Sequence, residues 1–247
     1  MAEVSIIVPV YNAAKFIKET VASITAQTFT DWELLLVENG STDSTPEILE
    51  GFTDERIKVI RMGTNSGAAK ARNRGMELAE GRFVTYLDAD DLWKPEKLEK
   101  QLAFMKQKEV AFSFTGYEFA DENAKPLGVV VKVPEVLVYK KALKNTTIFT
   151  STVMFDTAQI DKSMLMMPAV PSEDTALWWS VLRSGFDAYG LDENLVYYRR
   201  PGKSLSSNKF IACKRIWNLY RKQEKLGLIY SCYNFAGWAM RAVLRRL

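Results

Sequence analysis

Three aspartates in four residues, Asp88-Ala89-Asp90-Asp91, follow an apolar run that contains Phe83, Val84 and Leu87. Two further polar clusters end apolar runs in the same way: Pro9-Val10-Tyr11-Asn12, and Glu38-Asn39-Gly40-Ser41-Thr42-Asp43. The 247-residue chain has no histidine, which removes Ser-His-Asp and Cys-His catalysis and every imidazole metal site. Acid, base and metal chemistry must therefore use carboxylates. Carboxylates without imidazole or thiolate suit a hard cation, Mg2+ or Mn2+, which needs only one or two of them when phosphate oxygens fill its other positions. The competing reading of Asp88 to Asp91 is an Asx-turn and helix cap leading into Leu92-Trp93-Lys94-Pro95. Three acids so close together favour the metal. There is no GxGxxG loop, and residues 63–70 do not fit GxxxxGK[ST], so a dinucleotide-dependent oxidoreductase and a P-loop NTPase are both disfavoured.

The elements that must position these groups read as a doubly wound α/β fold with a mostly parallel sheet. Short β-branched runs predict strands at Val4–Val10, Glu33–Glu38, Ile57–Arg61 and Phe83–Leu87. Between them, helical spacing predicts helices over Lys15–Gln27 and Ser66–Ala79, and one carrying Ile48 and Leu49 with Ser41, Thr42 and Thr45 as N-cap candidates. After Asp91 the pattern predicts a helix over Pro95–Lys108, strands at Ala111–Phe119, Val129–Val133 and Thr152–Phe155, a helix over Glu173–Ser184 and a last strand at Leu195–Arg199, all on the same sheet. In an open α/β sheet, ligands bind beyond the carboxyl ends of the strands, so the three polar clusters belong to one rim. Met164 to Met167 and Trp178-Trp179 read either as the acceptor side of that rim or as core.

A hydrophobic content of 47% supports a full core, and no run reaches the ~18 apolar residues of a membrane span. Cys213 and Cys232 match no disulfide or metal spacing, and the N-terminus has no secretory pattern, so a cytoplasmic address is expected. The net charge of +3 hides an asymmetry. Residues 198–247 hold twelve Lys or Arg and one acid, Glu224, so this segment carries +11 and the remainder −8. Two helical segments are expected over Lys209–Leu247, parted around Gly227. Their apolar stripes, edged by Lys, Arg, Trp and Tyr, suit either an interfacial membrane helix at the inner face of the cytoplasmic membrane or packing on the catalytic domain or a second subunit.

Taken in order, Val4-Ser5-Ile6-Ile7-Val8-Pro9-Val10-Tyr11-Asn12, Glu38 to Asp43, Gly67 to Gly75, Asp88 to Asp91, Ser172-Glu173-Asp174 and Tyr198-Arg199 with Ser204-Leu205-Ser206 resemble the family 2 glycosyltransferases of the GT-A fold. The resemblance implies a catalytic domain over residues 1–205, with a nucleotide-binding half (1–92) and an acceptor-binding half (93–205), followed by basic helices over 206–247. It implies transfer from a nucleotide-diphosphate sugar, a UDP-sugar by preference, to a saccharide or lipid-linked saccharide hydroxyl with inversion, in bacterial surface polysaccharide or lipopolysaccharide synthesis. Nucleic acid is not implied as a partner. Pro9, Tyr11, Glu38, Asn39 and Asp88 are carried over as donor contacts, Asp90 with Asp88 as ligands of Mn2+ or Mg2+, and Asp174 as general base. Arg72 is either a further positive contact to the nucleotide or an exposed helix arginine. Two departures stand out. Glu38-Asn39 replaces the paired aspartates of many relatives, which puts the uridine preference in doubt, and Arg200-Pro201-Gly202-Lys203 stands where many relatives have a histidine, so that Arg200 could clamp the diphosphate. No QxxRW-like segment is present, which implies addition of one sugar at a time. The alternatives are a nucleotidyltransferase, disfavoured because Tyr11-Asn12-Ala13-Ala14 follows the first strand instead of a glycine-rich loop, and a catalytically silent binding or scaffold module.

Overall fold

The computed structural model describes residues 2–145, 147–200 and 209–244. Its elements are, in chain order, β1 (Val4–Val10), α1 (Ile17–Thr25), β2 (Trp32–Glu38), α2 (Thr45–Glu50), β3 (Ile57–Arg61), α3 (Ala68–Leu78), β4 (Phe83–Tyr86), β5 (Leu92–Trp93), α4 (Lys97–Lys108), β6 (Phe112–Ala120), β7 (Pro126–Val131), β8 (Val136–Leu137), α5 (Tyr139–Ala142), β9 (Met154–Asp156), α6 (Glu173–Arg183), β10 (Ala188–Arg199), α7 (Lys209–Asn218) and α8 (Leu228–Leu244). One mixed sheet carries every strand in the order β3-β2-β1-β4-β9-β6-β10-β5, with β7 on β6 and β8 on β10. The strands after β4 thus extend the sheet begun by β1 to β4.

The register sets the rim. β1 runs parallel to β2 with Val10 opposite Glu38, and parallel to β4 with Ile7 opposite Tyr86, so all three strands finish on one edge. β1 is buried on both faces, as a central parallel strand must be. Its period of two puts Val4, Ile6, Val8 and Val10 into a core with α1 and α4, and Ile7 into the opposite core with α3 and α6. Gly75 lets α3 press on the strand, because a Cβ there would lie 2.4 Å from Ile7 Cγ2. Arg72 sits on that helix one turn earlier, and the close approach fixes its reach.

The structure departs from the sequence reading where elements are very short or shifted. β5 and β8 hold two residues each, too few to show periodicity, and exist because β10 offers each a ladder, with Val196 opposite Trp93 and Ala188 opposite Leu137. β10 begins at Ala188 rather than Leu195, carried through two register irregularities against β6. The N-cap of α2 is Ser44, with Asp43 Oδ1 accepting from Thr45 N–H at 3.0 Å, not Ser41, Thr42 or Thr45, the last of which is the first residue inside the helix. The expected break near Gly227 is present, and α7 runs into a π-helical turn at Leu219–Gln223. Ile216, Leu219 and Tyr220 join the main core, and Tyr220 stacks on Trp179 at 5.1 Å. Trp178, Trp179, Leu165 and Met167 are buried there too, which settles the core reading for them.

Candidate active site

The loops after β1 and β2 are laced together at the rim. Asn12 holds φ 48° and accepts at Oδ1 from Thr42 N–H at 2.8 Å, while its own N–H donates to Ser41 Oγ at 3.1 Å. Glu38 is buried and accepts at Oε1 from Ser41 N–H at 2.5 Å. Gly40 turns there at φ 74°, where a Cβ would strike Asn65 N at 2.6 Å. Asn39 accepts at Oδ1 from Ser66 N–H at 3.0 Å and donates through Nδ2 to Asn65 Oδ1 at 3.2 Å, so its amide holds the segment that leads into α3. Pro9 is half-buried and Tyr11 exposed at the mouth of this rim.

Beside these loops the acids separate into different roles. Asp91 is fully buried, accepts at Oδ2 from Ser151 Oγ at 2.6 Å and at Oδ1 from Arg199 N–H at 3.0 Å. Burial, with Asp90 and Asp88 beside it, pushes its carboxyl well above the ordinary aspartate range. Asp91 is therefore an internal anchor that ties the loop to β10 and to the 150–152 turn. Asp88 and Asp90 remain half-buried at the rim. Burial and then the neighbouring Asp88 push the Asp90 carboxyl up to about 6, with the Arg199 charge pulling partly the other way. Two half-buried carboxylates two residues apart on one rim are suited to a shared hard cation. Among the described residues no group of three or more His, Cys, Asp or Glu gathers closely enough to hold a metal ion.

Arg72 corrects the alternative of an exposed helix arginine. Its side chain is 8% exposed, and it donates from Nη2 to Asp88 Oδ1 at 2.6 Å and from Nη1 to Glu173 Oε1 at 3.2 Å. Burial alone would lower its pKa, but Asp88, Asp174 and Glu173 outweigh burial and raise it, so the guanidinium stays charged. Asp174 lies in the first turn of α6 and accepts at Oδ1 from Thr175 N–H at 2.6 Å and at Oδ2 from Thr150 Oγ1 at 3.3 Å. The structure thus gathers Asp88, Arg72, Glu173 and Asp174, which are far apart in sequence, into one charged cluster between the strand rim and α6. Arg200 lies apart: it is exposed, with its guanidinium 5.0 Å from the Phe119 ring centroid, while Arg199 turns inward to Glu19 Oε2 at 2.7 Å. Residues 201–203 and the Ser204-Leu205-Ser206 motif lie outside the described residues.

Sequence reasoning missed the short 3-10 turn Thr150–Thr152. Thr150 reaches Asp174, and buried Ser151 accepts at Oγ from Asp88 N–H at 3.1 Å, donates to Asp91, and receives Trp93 Nε1–H at its carbonyl at 2.8 Å. Behind Trp93 sits the buried Lys97, its Nζ 3.8 Å from the ring centroid and donating to Thr85 Oγ1 at 2.9 Å. One turn thus braces both the acidic loop and Asp174. No periodic signal marks three residues; the only cue was a polar Thr-Ser-Thr between Phe149 and Val153. Ser151→Ala strips a buried hydrogen bond from Asp91 and one from the Asp88 N–H, and leaving a buried polar group without its partner costs about 1–3 kcal/mol. If the acidic loop holds the donor, that loss reads as roughly tenfold or more in donor affinity by calorimetry; unchanged affinity would remove the turn from the site.

Comparison with known proteins supplies the deciding observation. The profile described as Glycosyl transferase family 2 matches residues 5–160. The chain belongs to glycosyltransferase family 2. This glycosyltransferase is 45% identical over 99% of its length to TuaG of Bacillus subtilis, a glycosyltransferase named for teichuronic acid biosynthesis, and covers 97% of that protein. It is 36% identical to the Escherichia coli UDP-Glc:alpha-D-GlcNAc-diphosphoundecaprenol beta-1,3-glucosyltransferase WfgD, covering 94% of this chain and 91% of that one. Among solved structures it resembles Staphylococcus aureus TarS 1-349 in complex with UDP-GlcNAc, with a TM-score of 0.72 at 22% identity, over 96% of this chain and 71% of that one, a likeness of fold. The expected GT-A-like α/β fold is therefore the observed one, and a nucleotide-sugar donor belongs to the family chemistry. Membership also removes the nucleotidyltransferase alternative.

Proposed function

We propose that this glycosyltransferase moves a hexose from a UDP-sugar, with inversion at the anomeric carbon, onto a hydroxyl of a lipid-diphosphate-linked saccharide during assembly of a bacterial surface polysaccharide, at the inner face of the cytoplasmic membrane. The observation that carries the reading is the cluster in which buried Arg72 joins Asp88 on the rim to Glu173 beside Asp174. It sets a diphosphate-binding edge against a carboxylate that can take a proton. The names of TuaG and WfgD support the polymer class and the lipid-linked acceptor.

In this reading Tyr11, Pro9 and Glu38 border the nucleoside, and Arg200, which lies apart from the charged cluster, has no assigned role. Asp174 removes the acceptor proton as the hydroxyl oxygen forms its bond to the anomeric carbon. The bond from that carbon to the diphosphate oxygen breaks, and its electron pair leaves with the nucleoside diphosphate. Arg72 holds Asp88 in place, and the Thr150–Thr152 turn holds Asp174. Asp88 and Asp90 would hold a bound Mg2+ or Mn2+, which when present supplies neutralisation of charge developing on the leaving diphosphate.

A panel of nucleotide sugars tested by thermal unfolding, with Mn2+ or with EDTA, checks donor class and metal together. The cognate donor at about a hundred times its Kd should raise Tm by roughly 5–10 °C with Mn2+ and much less with EDTA. No stabilisation by any nucleotide sugar with Mn2+ would instead favour a silent scaffold.

A further inference from the structure

The helix α8 is inverted in polarity relative to an ordinary surface helix, which turns its apolar stripe to the core and its polar groups to water. Its two uncharged polar residues with no exposure at all are Ser231 and Asn234. Ser231 Oγ donates to Gly227 O at 2.9 Å and Asn234 Nδ2 to Tyr230 O at 2.8 Å, so both turn back onto the helix backbone. The inner side is completed by Phe235 and Trp238, packed on Trp217 and on the main core. Solvent instead meets Ile229, Cys232, Tyr233, Ala236, Met240 and Val243 along one side, and exposed Leu228 and Tyr230 widen this apolar surface at the start of the helix. Ile229 is 86% exposed, Tyr233 62%, Met240 61% and Val243 62%. Such a row on the outside of a folded domain calls for an apolar partner.

Charge identifies the partner. Lys144 Nζ lies 3.5 Å from the Tyr233 ring centroid and Arg241 directly follows Met240, so cations edge the stripe. The one acid of residues 198–247, Glu224, is turned inward, its carboxylate 1% exposed and paired with Arg183 at 2.7 Å. The surface around the stripe therefore carries cations without exposed acids of its own segment. Ring, aliphatic side chains and cations in this arrangement match the boundary between headgroups and acyl chains in an anionic bilayer. Among the described residues no helix is long and apolar enough to cross a membrane, so α8 would lie in the plane of the surface.

We infer that the outward stripe of α8 docks this enzyme on an anionic lipid surface, with Ile229, Tyr233, Met240 and Val243 entering the acyl boundary and Lys144 and Arg241 meeting lipid phosphates. The inference rests on the lipid-linked-acceptor reading for its purpose: it would hold the rim at the membrane where such an acceptor is anchored.

Flotation of the full chain with vesicles of phosphatidylethanolamine and phosphatidylglycerol, against vesicles of phosphatidylcholine alone, tests it. Binding is expected to the anionic vesicles, weaker at high salt, and lowered roughly tenfold or more in the Ile229→Ser, Met240→Ser double variant, which removes several buried methylenes from the contact. The double variant should keep the Tm gain from nucleotide sugar and Mn2+, which shows that its fold and donor site are intact. Wild-type protein that stays with the unbound fraction at low salt overturns the inference, as does a double variant that floats like wild type. Wild-type dimers that the same substitutions dissociate would make the stripe a self-interface. Failure of the donor panel with vesicle binding intact would count against the proposed activity and leave the docking surface standing.

Discussion

Asp174→Asn is expected to lower turnover by roughly 10²–10⁴-fold, the scale of losing a positioned general base, while the affinity for nucleotide sugar stays unchanged. The amide keeps the shape of the carboxylate: its Oδ1 can still accept from Thr175 N–H, and its Nδ2 can donate to the Thr150 hydroxyl, which turns to accept, so α6 should start as before. What is lost is the ability to take a proton, and with it charge that Arg72 feels from this side. Steady-state kinetics with the cognate donor, paired with calorimetric donor titration, separate the two. A fall in donor affinity with turnover preserved would place Asp174 on the nucleotide rather than on the acceptor.

Arg72→Met should damage both stability and donor binding, because one buried guanidinium serves two carboxylates. Removing one partner of a buried pair costs about 3–5 kcal/mol when the remaining charge is stranded. Asp88 and Glu173 keep 27% and 23% of their side-chain exposure and recover some hydration, so the low end, about 3 kcal/mol, is expected in urea unfolding. Donor affinity with Mn2+ should fall with it, since Asp88 loses the group that orients it. Arg72→Lys should rescue little, because a single ammonium lacks the fork that reaches Asp88 from one nitrogen and Glu173 from another. Wild-type donor affinity in a folded Arg72→Lys protein would show that the bridge is dispensable to the site.

The strand ends were readable because their polar clusters are contiguous: Tyr11-Asn12, Glu38 to Asp43 and Asp88 to Asp91 each stand directly after an apolar run, and a parallel sheet brings such ends to one rim. The division of labour inside the last cluster was not readable. Asp90 and Asp91 are adjacent and identical in type, and what makes one an anchor is Ser151 and Arg199, 60 and 108 residues further along. Arg72 was equally ambiguous, since its burial depends on Gly75 seating α3 on Ile7 and on Glu173 arriving with α6. The two-residue strands β5 and β8 carry no period, and their pairing is a property of β10. The composition of α8 suggested a membrane or packing role without saying which residues face where; the inward Ser231 and Asn234 decide that only once Trp217 and the main core occupy the other side.

The central claim is a single displacement with Asp174 as base, and the stereochemistry of the product tests it most directly. With UDP-glucose or the donor that the thermal panel selects, α at its anomeric carbon, and a short-chain lipid-diphosphate saccharide as acceptor, the product's anomeric proton coupling is read by NMR. One in-line attack gives a β linkage, and Asp174→Asn should give the same β product at its lowered rate. An α linkage would require two successive displacements or a different reacting face, and would contradict the role assigned to Asp174.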